Sequence, residues 1–318
     1  MVEVFAIPLR TRFRGITVRE GVLLRGDAGW GEFSPFAEYD AATCAPWLAA
    51  AREAACEGWP EPVRSSVPVN VTVPACGPER AAAIVRGSSG CRTAKVKVAE
   101  AGQSVDDDIA RLEAVREAIG PSGLVRIDVN GGWSVHEATT RIPVLDRAAG
   151  GLEYVEQPCA SVEELALVRR RVQVPIAADE SIRRAADPYR VRELEAADIA
   201  VLKVQPLGGV RACLRIAEDI GLPVVVSSAV ESSIGIAAGL ALAAALPELP
   251  HACGLATVQL LTGDVVAEPL LPVDGAIEVR RPVVDPDALA RVRAGEERRT
   301  HWERRLAEAA AVLQDQPR

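Results

Sequence analysis

From about residue 67 onward, short Val- and Ile-rich segments alternate with helical patterns, one strand and one helix every 25 to 30 residues or so. Few folds accommodate that rhythm. The apolar segments are Val67–Val73, Thr93–Val98, Leu124–Asn130, Gly151–Gln157, Pro175–Asp179, Ile199–Val204, Pro223–Ser227 and His251–Leu255. Between them lie helical stretches such as Val105–Ile119, Ser134–Ala148, Val162–Val172, Val210–Ile220 and Ser232–Leu246. Ser104, Ser134 and Ser161 stand as N-caps ahead of acidic first turns. Strands alternating with helices require a parallel sheet, and eight strands with seven intervening helices favour a closed α/β barrel. An open doubly wound sheet is the competing arrangement, weakened because no G-x-G-x-x-G follows the first strand.

The flanks read differently. Val2–Arg10 and Ile16–Arg25 carry the pattern of antiparallel strands, Gly29–Asp40 that of a loop, and Ala41–Glu57 that of a helix. Beyond the eighth strand, Val265–Leu271 and Ala276–Arg280 read as strands that pack back on the N-terminal region. The last helix presents Trp302, Leu306, Ala309 and Leu313 on one face. The expected division is therefore an α+β cap over residues 1–66, a barrel over 67–260, and a C-terminal segment, 261–318, that completes the cap.

Composition narrows the function. A net charge of −8 speaks against nucleic-acid or anionic-membrane partners. The N-terminus lacks a secretory pattern, and the longest weakly polar run, residues 234–246, is too short to span a bilayer. The seven cysteines form no C-x-x-C pair, so buried reduced thiols and a cytoplasmic location are expected. No obligate protein partner is implied.

Among 36 Lys and Arg residues only Lys95, Lys97 and Lys203 are lysine. Arginine keeps its proton at any working pH, whereas a buried lysine can exchange one, so lysines retained in an arginine-rich chain point to proton transfer. Lys97, Asp128, Glu156, Asp179 and Lys203 are separated by 31, 28, 23 and 24 residues, about one strand–helix unit each time. Each lies near the C-terminal end of its strand, and in a barrel those ends ring one mouth, where active sites sit. Singly, any of these acids could be a helix cap or a surface charge. Five in register argue for a site, because charges on apolar strands are costly to bury without partners. Three carboxylates make a hard oxygen site suited to Mg²⁺, with Mn²⁺ as the alternative ion. Lys95 and Lys97 share a strand face with Cβ atoms about 7 Å apart. At an effective dielectric of about 20, one ammonium disfavours the other by roughly 2 kcal/mol, which would push Lys97 toward the neutral base.

The segments T-A-K-V-K (93–97), D-V-N (128–130), E-Q-P (156–158), D-E-S (179–181) and L-K-V-Q (202–205) resemble the enolase superfamily, in its muconate-lactonizing-enzyme subgroup. The resemblance covers nearly the whole chain. It implies a capping α+β domain over a (β/α)7β TIM-like barrel. It further implies Asp128, Glu156 and Asp179 as metal ligands, and Lys97 and Lys203 on opposite faces of a small carboxylate substrate, with Lys95 beside them. G-W-G-E-F-S-P-F-A-E-Y (29–39), S-S-A-V-E-S-S-I-G (227–235) and H-A-C-G-L-A-T (251–257) look most like the dehydratases of menaquinone biosynthesis in that subgroup. Asn130, Ser227, Ser228 and Gly254 are then the expected substrate-binding positions. Dipeptide epimerases of the subgroup usually carry D-x-D near strand eight, and no acid lies between His251 and Gln259 here. An N-acylamino acid racemase, a dipeptide epimerase and a cycloisomerase remain the enzymatic alternatives, and a non-catalytic binding barrel the alternative of another class. Arg12, Phe13 and Arg14 read as a loop that the cap either presents to substrate or leaves solvated. The histidines, 136, 251 and 301, read as structural.

Overall fold

The structure, a computed structural model, describes residues 2–13, 15–183 and 188–315. The chain opens with a meander, β1 (Val2–Phe13), β2 (Ile16–Gly26) and β3 (Gly29–Phe33), followed by α1 (Ala41–Arg52) and one π-helical turn, Glu53–Glu57. The stretch 29–40 is thus not all loop. Gly31 lets β3 lie against α1, since a Cβ there would meet the Ala51 carbonyl oxygen at 2.0 Å.

The expected strand Val67–Val73 divides in two. β4 (Ser66–Pro68) leaves the barrel, and β5 (Val71–Val73) opens it. After β5 come α2 (Pro78–Arg86), β6 (Thr93–Lys97), α3 (Val105–Ile119), β7 (Leu124–Asp128) and α4 (Val135–Ala148). They are followed by β8 (Tyr154–Glu156), α5 (Val162–Arg169), β9 (Ile176–Ala178), and two four-residue helices, α6 (Glu180–Arg183) and α7 (Arg190–Glu193). The series ends with β10 (Ile199–Lys203), α8 (Val210–Ile220), β11 (Val224–Ser227) and α9 (Ser233–Ala245). Ser104, Ser134 and Ser161 each form a reciprocal capping box, with Asp107, Glu137 and Glu164.

Strands β5 to β11 form one parallel sheet in sequence order. The eighth position is no regular strand: 251–255 contributes single parallel bridges, Cys253 to Val69 and Gly254 to Ser227. These join the two edges of the sheet and close the ring. Period two divides each strand. Tyr154, Ala177, Val201 and Val225 form a small apolar cluster of their own, distinct from the larger core that includes Val125, Ile127, Val155 and Leu202 and the helices. The same alternation puts Glu156, Asp179, Lys203 and Ser227 on the side of that inner cluster, two residues further along.

The tail corrects a second expectation. Residues 265–271 form no strand, and Val266 makes only a bridge to Val284. β12 (Ala276–Glu278) pairs antiparallel with β4 rather than with the meander. α10 (Pro286–Val292) and α11 (Glu296–Asp315) do return to it. Trp302 and Ala309 are buried against Phe33, Trp47 and Leu48, with Leu306 and Leu313 packed beside them. Arg305 adds hydrogen bonds to the Phe36 and Tyr39 carbonyls at 2.8 and 3.1 Å.

All seven cysteines are unpaired; Cys56 is exposed and Cys76 half-buried, so not every thiol is hidden. Among the described residues no helix is long and apolar enough to cross a membrane.

Candidate active site

Sheet register fixes which side chains meet. Lys97 lies opposite Asp128, and Asp128 opposite Glu156, across adjacent parallel ladders. Lys203 lies opposite Ser227 on the other side of the ring. A cavity of about 450 Å³ opens over these strand ends. Lys95, Lys97, Asp128, Asn130, Lys203, Ser227, Ser228 and Gly254 all line it. Glu156 and Asp179 do not. They are fully buried, each holding a lysine that does line it.

Lys95 Nζ donates to Glu156 Oε1 and Oε2 at 2.9 and 3.0 Å and to Asp128 Oδ2 at 3.1 Å. Burial works against its charge, yet Glu156 and Asp128 raise it well above the ordinary lysine value. Lys95 is therefore a fixed cation. Lys97 Nζ donates to Asp128 Oδ2 and to Asn130 Oδ1, both at 2.6 Å. The Phe13 ring of the cap lies 5.8 Å from the same nitrogen. Lys203 Nζ donates to Asp179 Oδ2, whose other oxygen accepts from Arg183 Nε at 2.8 Å. Burial, helped by Arg183, lowers Lys203 from the usual lysine range against the pull of Asp179.

The three carboxylates differ. Burial alone would raise each of them. Lys97 and Lys95 hold Asp128 well below its ordinary value, and Lys203 and Arg183 do the same for Asp179. Glu156 is pushed up to about 7, first by burial and then by the Asp128 charge. Among the described residues no three acidic, His or Cys side chains converge as an ion site; the carboxylate oxygens turn instead to ammonium and guanidinium groups. The donor set nonetheless suits a divalent ion. It is all oxygen and is carried by the ends of three successive strands.

Three residues at this centre were given no role in the sequence reading, although Gln157 and Thr257 lie in segments that carry the resemblance. Gln157, left-handed at φ 42°, accepts from the Asp179 and Ser181 amides at 3.0 and 3.1 Å and donates to Ser181 Oγ at 2.7 Å, tying the end of β8 to the start of α6. Arg183 follows Asp179 by one helical turn, a spacing that could have flagged it. Thr257 shares a 2.8 Å hydrogen bond with Ser228. Arg12 and Phe13 end β1 rather than lying in a loop, and both line the cavity; Arg14 lies outside the described residues. His251 pairs with Glu153 at 2.7 Å and does not line the cavity.

Residues 79–286 match the Enolase C-terminal domain-like family, and residues 4–55 the Enolase N-terminal domain-like family. An o-succinylbenzoate synthase of Thermobifida fusca is 68% identical over 97% of this chain and 95% of its own length. One from Mycolicibacterium smegmatis is 55% identical over 98% and 96%. In three dimensions the chain resembles a muconate lactonizing enzyme from Pseudomonas fluorescens, with a TM-score of 0.79 at 23% identity over 92% of this chain and 98% of that one. It also resembles the L-Ala-D/L-Glu epimerase from Bacillus subtilis, with a TM-score of 0.76 at 25% identity over 89% and 96%. The two sequence domains, the full-length relatives and the ring of charged strand ends agree: this chain belongs to the enolase superfamily and, within it, to the o-succinylbenzoate synthase family.

Proposed function

We propose that the chain is an o-succinylbenzoate synthase, a lyase of menaquinone biosynthesis that removes water from 2-succinyl-6-hydroxy-2,4-cyclohexadiene-1-carboxylate. The observation that carries this reading is the 68% identity to such a synthase along nearly the whole of both chains. The placement of two lysines, from β6 and β10, at one cavity supports it.

In this reading Asp128, Glu156 and Asp179 hold the divalent ion, Mg²⁺ or Mn²⁺, which would stabilise the negative charge that builds on the substrate carboxylate. Lys97, as the free amine, takes the proton from the ring carbon that bears the carboxylate. The C–H electron pair moves into the ring, the bond to the neighbouring hydroxyl breaks, and that oxygen takes the proton back from the Lys97 ammonium. Water leaves, and the ring becomes aromatic. One lysine serving both transfers makes the elimination syn. Lys203 faces the substrate from the other side and contributes charge. Asn130, Ser227, Ser228 and Gly254 bind substrate, and the cap covers the mouth through Phe13.

The test is formation of the aromatic product, followed by ultraviolet absorbance with purified chain, with and without chelator. A second reading, racemisation with both lysines as bases, draws on the lowered Lys203. Racemisation places solvent deuterium at the substrate α-carbon, whereas dehydration yields an aromatic product.

A further inference from the structure

Four consecutive residues from the end of β11, Ser227 to Val230, make one wall of the cavity. The last is under backbone strain. Val230 has φ 65°, a left-handed conformation that a β-branched side chain adopts only when its surroundings impose it.

What imposes it comes from the cap. Arg19 of β2, buried, donates from Nε to the Val230 carbonyl at 3.2 Å. Glu32 of β3, also buried, reaches across to the start of α9. Its Oε2 accepts from the Ser232 and Gly235 amides at 3.2 and 3.1 Å and from the Ser232 hydroxyl. Its Oε1 accepts from Ser34 Oγ at 2.6 Å. Ser34 in turn meets Gln205, two residues beyond Lys203, through its amide and its hydroxyl, both at 3.2 Å. Every contact to Glu32 here is a donor pointing at an acceptor, two of them otherwise unsatisfied amides of a helix start.

We infer that Glu32 is a positioning residue: seated in the cap, it anchors Ser232 and Gly235 and thereby fixes the Val230 turn and the Ser227–Val230 wall against which substrate binds. The inference rests on the proposed dehydratase activity, and wild-type turnover tests that activity separately. Lys97 and the three carboxylates lie on other strands, so loss of this anchor weakens substrate binding before it touches proton transfer.

The experiment compares Glu32→Gln with wild type in Mg²⁺ by steady-state dehydration and by amide hydrogen exchange. The expected result is KM raised about tenfold with kcat within about threefold, the pattern of lost uniform binding. Exchange should quicken over residues 228–236 and stay unchanged in β6 and β7. Unaltered KM, even with a lower melting temperature, overturns the inference, as does a fall in kcat at constant KM. Should Glu32→Gln fail to fold, Ser232→Ala and Ser34→Ala each remove one partner of the carboxylate. A KM raised about threefold in both supports the inference, and wild-type KM in either overturns it.

Discussion

Lys97 Nζ and Asp128 Oδ2 stand 2.6 Å apart across a single rung of the β6–β7 ladder, so the proposed base and a proposed metal ligand share one oxygen. Anything that changes the base must be tested for its effect on the ion. Lys97→Arg keeps a cation on Asp128 but offers no accessible neutral form. Turnover should fall by about a thousandfold, within the range general bases contribute. Mn²⁺ affinity, measured by electron paramagnetic resonance, should change by less than about tenfold. Substantial activity in Lys97→Arg would remove Lys97 as the base.

Lys203→Arg separates the two chemistries. If Lys203 supplies only charge, arginine retains it, and turnover should fall by about tenfold to a hundredfold, far less than for Lys97→Arg. Equal and near-complete loss in both variants would favour the two-base racemase. The ratio of kcat values, measured on one preparation of each variant, decides.

Chelation should abolish turnover, and added Mg²⁺ or Mn²⁺ should restore it, because the ion would offset the negative charge that builds on the substrate carboxylate. Full activity after exhaustive dialysis against chelator would contradict the assignment of Asp128, Glu156 and Asp179.

Glu32 supplies a pH dependence of stability. Burial pushes its carboxyl up to about 7, against the pull of Arg19. The folded state therefore binds a proton more readily than the unfolded chain between the ordinary value, 4.5, and 7. Stability then declines as pH rises through that window, and the whole loss, on the order of 3 kcal/mol, is in place above it. Glu32→Gln does not titrate. The melting-temperature advantage of wild type over this variant should shrink between pH 4.5 and pH 8; a constant difference would show that Glu32 keeps its usual acidity.

Deeper in the barrel, Arg126 is fully buried, with Nε on Glu153 at 2.6 Å and Nη1 on the Tyr154 hydroxyl at 3.1 Å. Arg126→Met should destabilise the fold by about 2 kcal/mol, since it leaves the Tyr154 hydroxyl and the Ala252 carbonyl without their donor. Denaturant unfolding measures it.

The five strand-end charges were legible because the repeat itself carries them: one acid or lysine per strand–helix unit needs no tertiary knowledge. The breaks in the repeat were not. Residues 67–73, V-P-V-N-V-T-V, keep valine at every second position, and that alternation outweighs Pro68 and Asn70, which mark where β4 turns away to meet Ala276–Glu278. His251–Leu255 reads as a strand, yet only Cys253 and Gly254 pair. Gln157 and Glu32 lie in segments that carry the resemblance, yet their roles went unread for a different reason. Each acts through partners distant in sequence, Ser181 in one case and Ser232 and Gly235 in the other, and a single sequence holds no record of such pairs.

The bridges at Cys253 and Gly254 give the ring a seam, and the seam divides labour. Gly254 approaches Ser227 so closely that a Cβ would stand 2.7 Å from its hydroxyl oxygen, and Ser228 is held to the Gly254 carbonyl at 2.8 Å. On this side two rungs and a few hydroxyls shape the cavity, whereas Lys97, Asp128 and Glu156 stand on the laddered strands β6 to β8. Substitutions along the seam can therefore reshape what the cavity admits while the proton-handling arc keeps its register. A barrel built this way can exchange one substrate for another without rebuilding its chemistry.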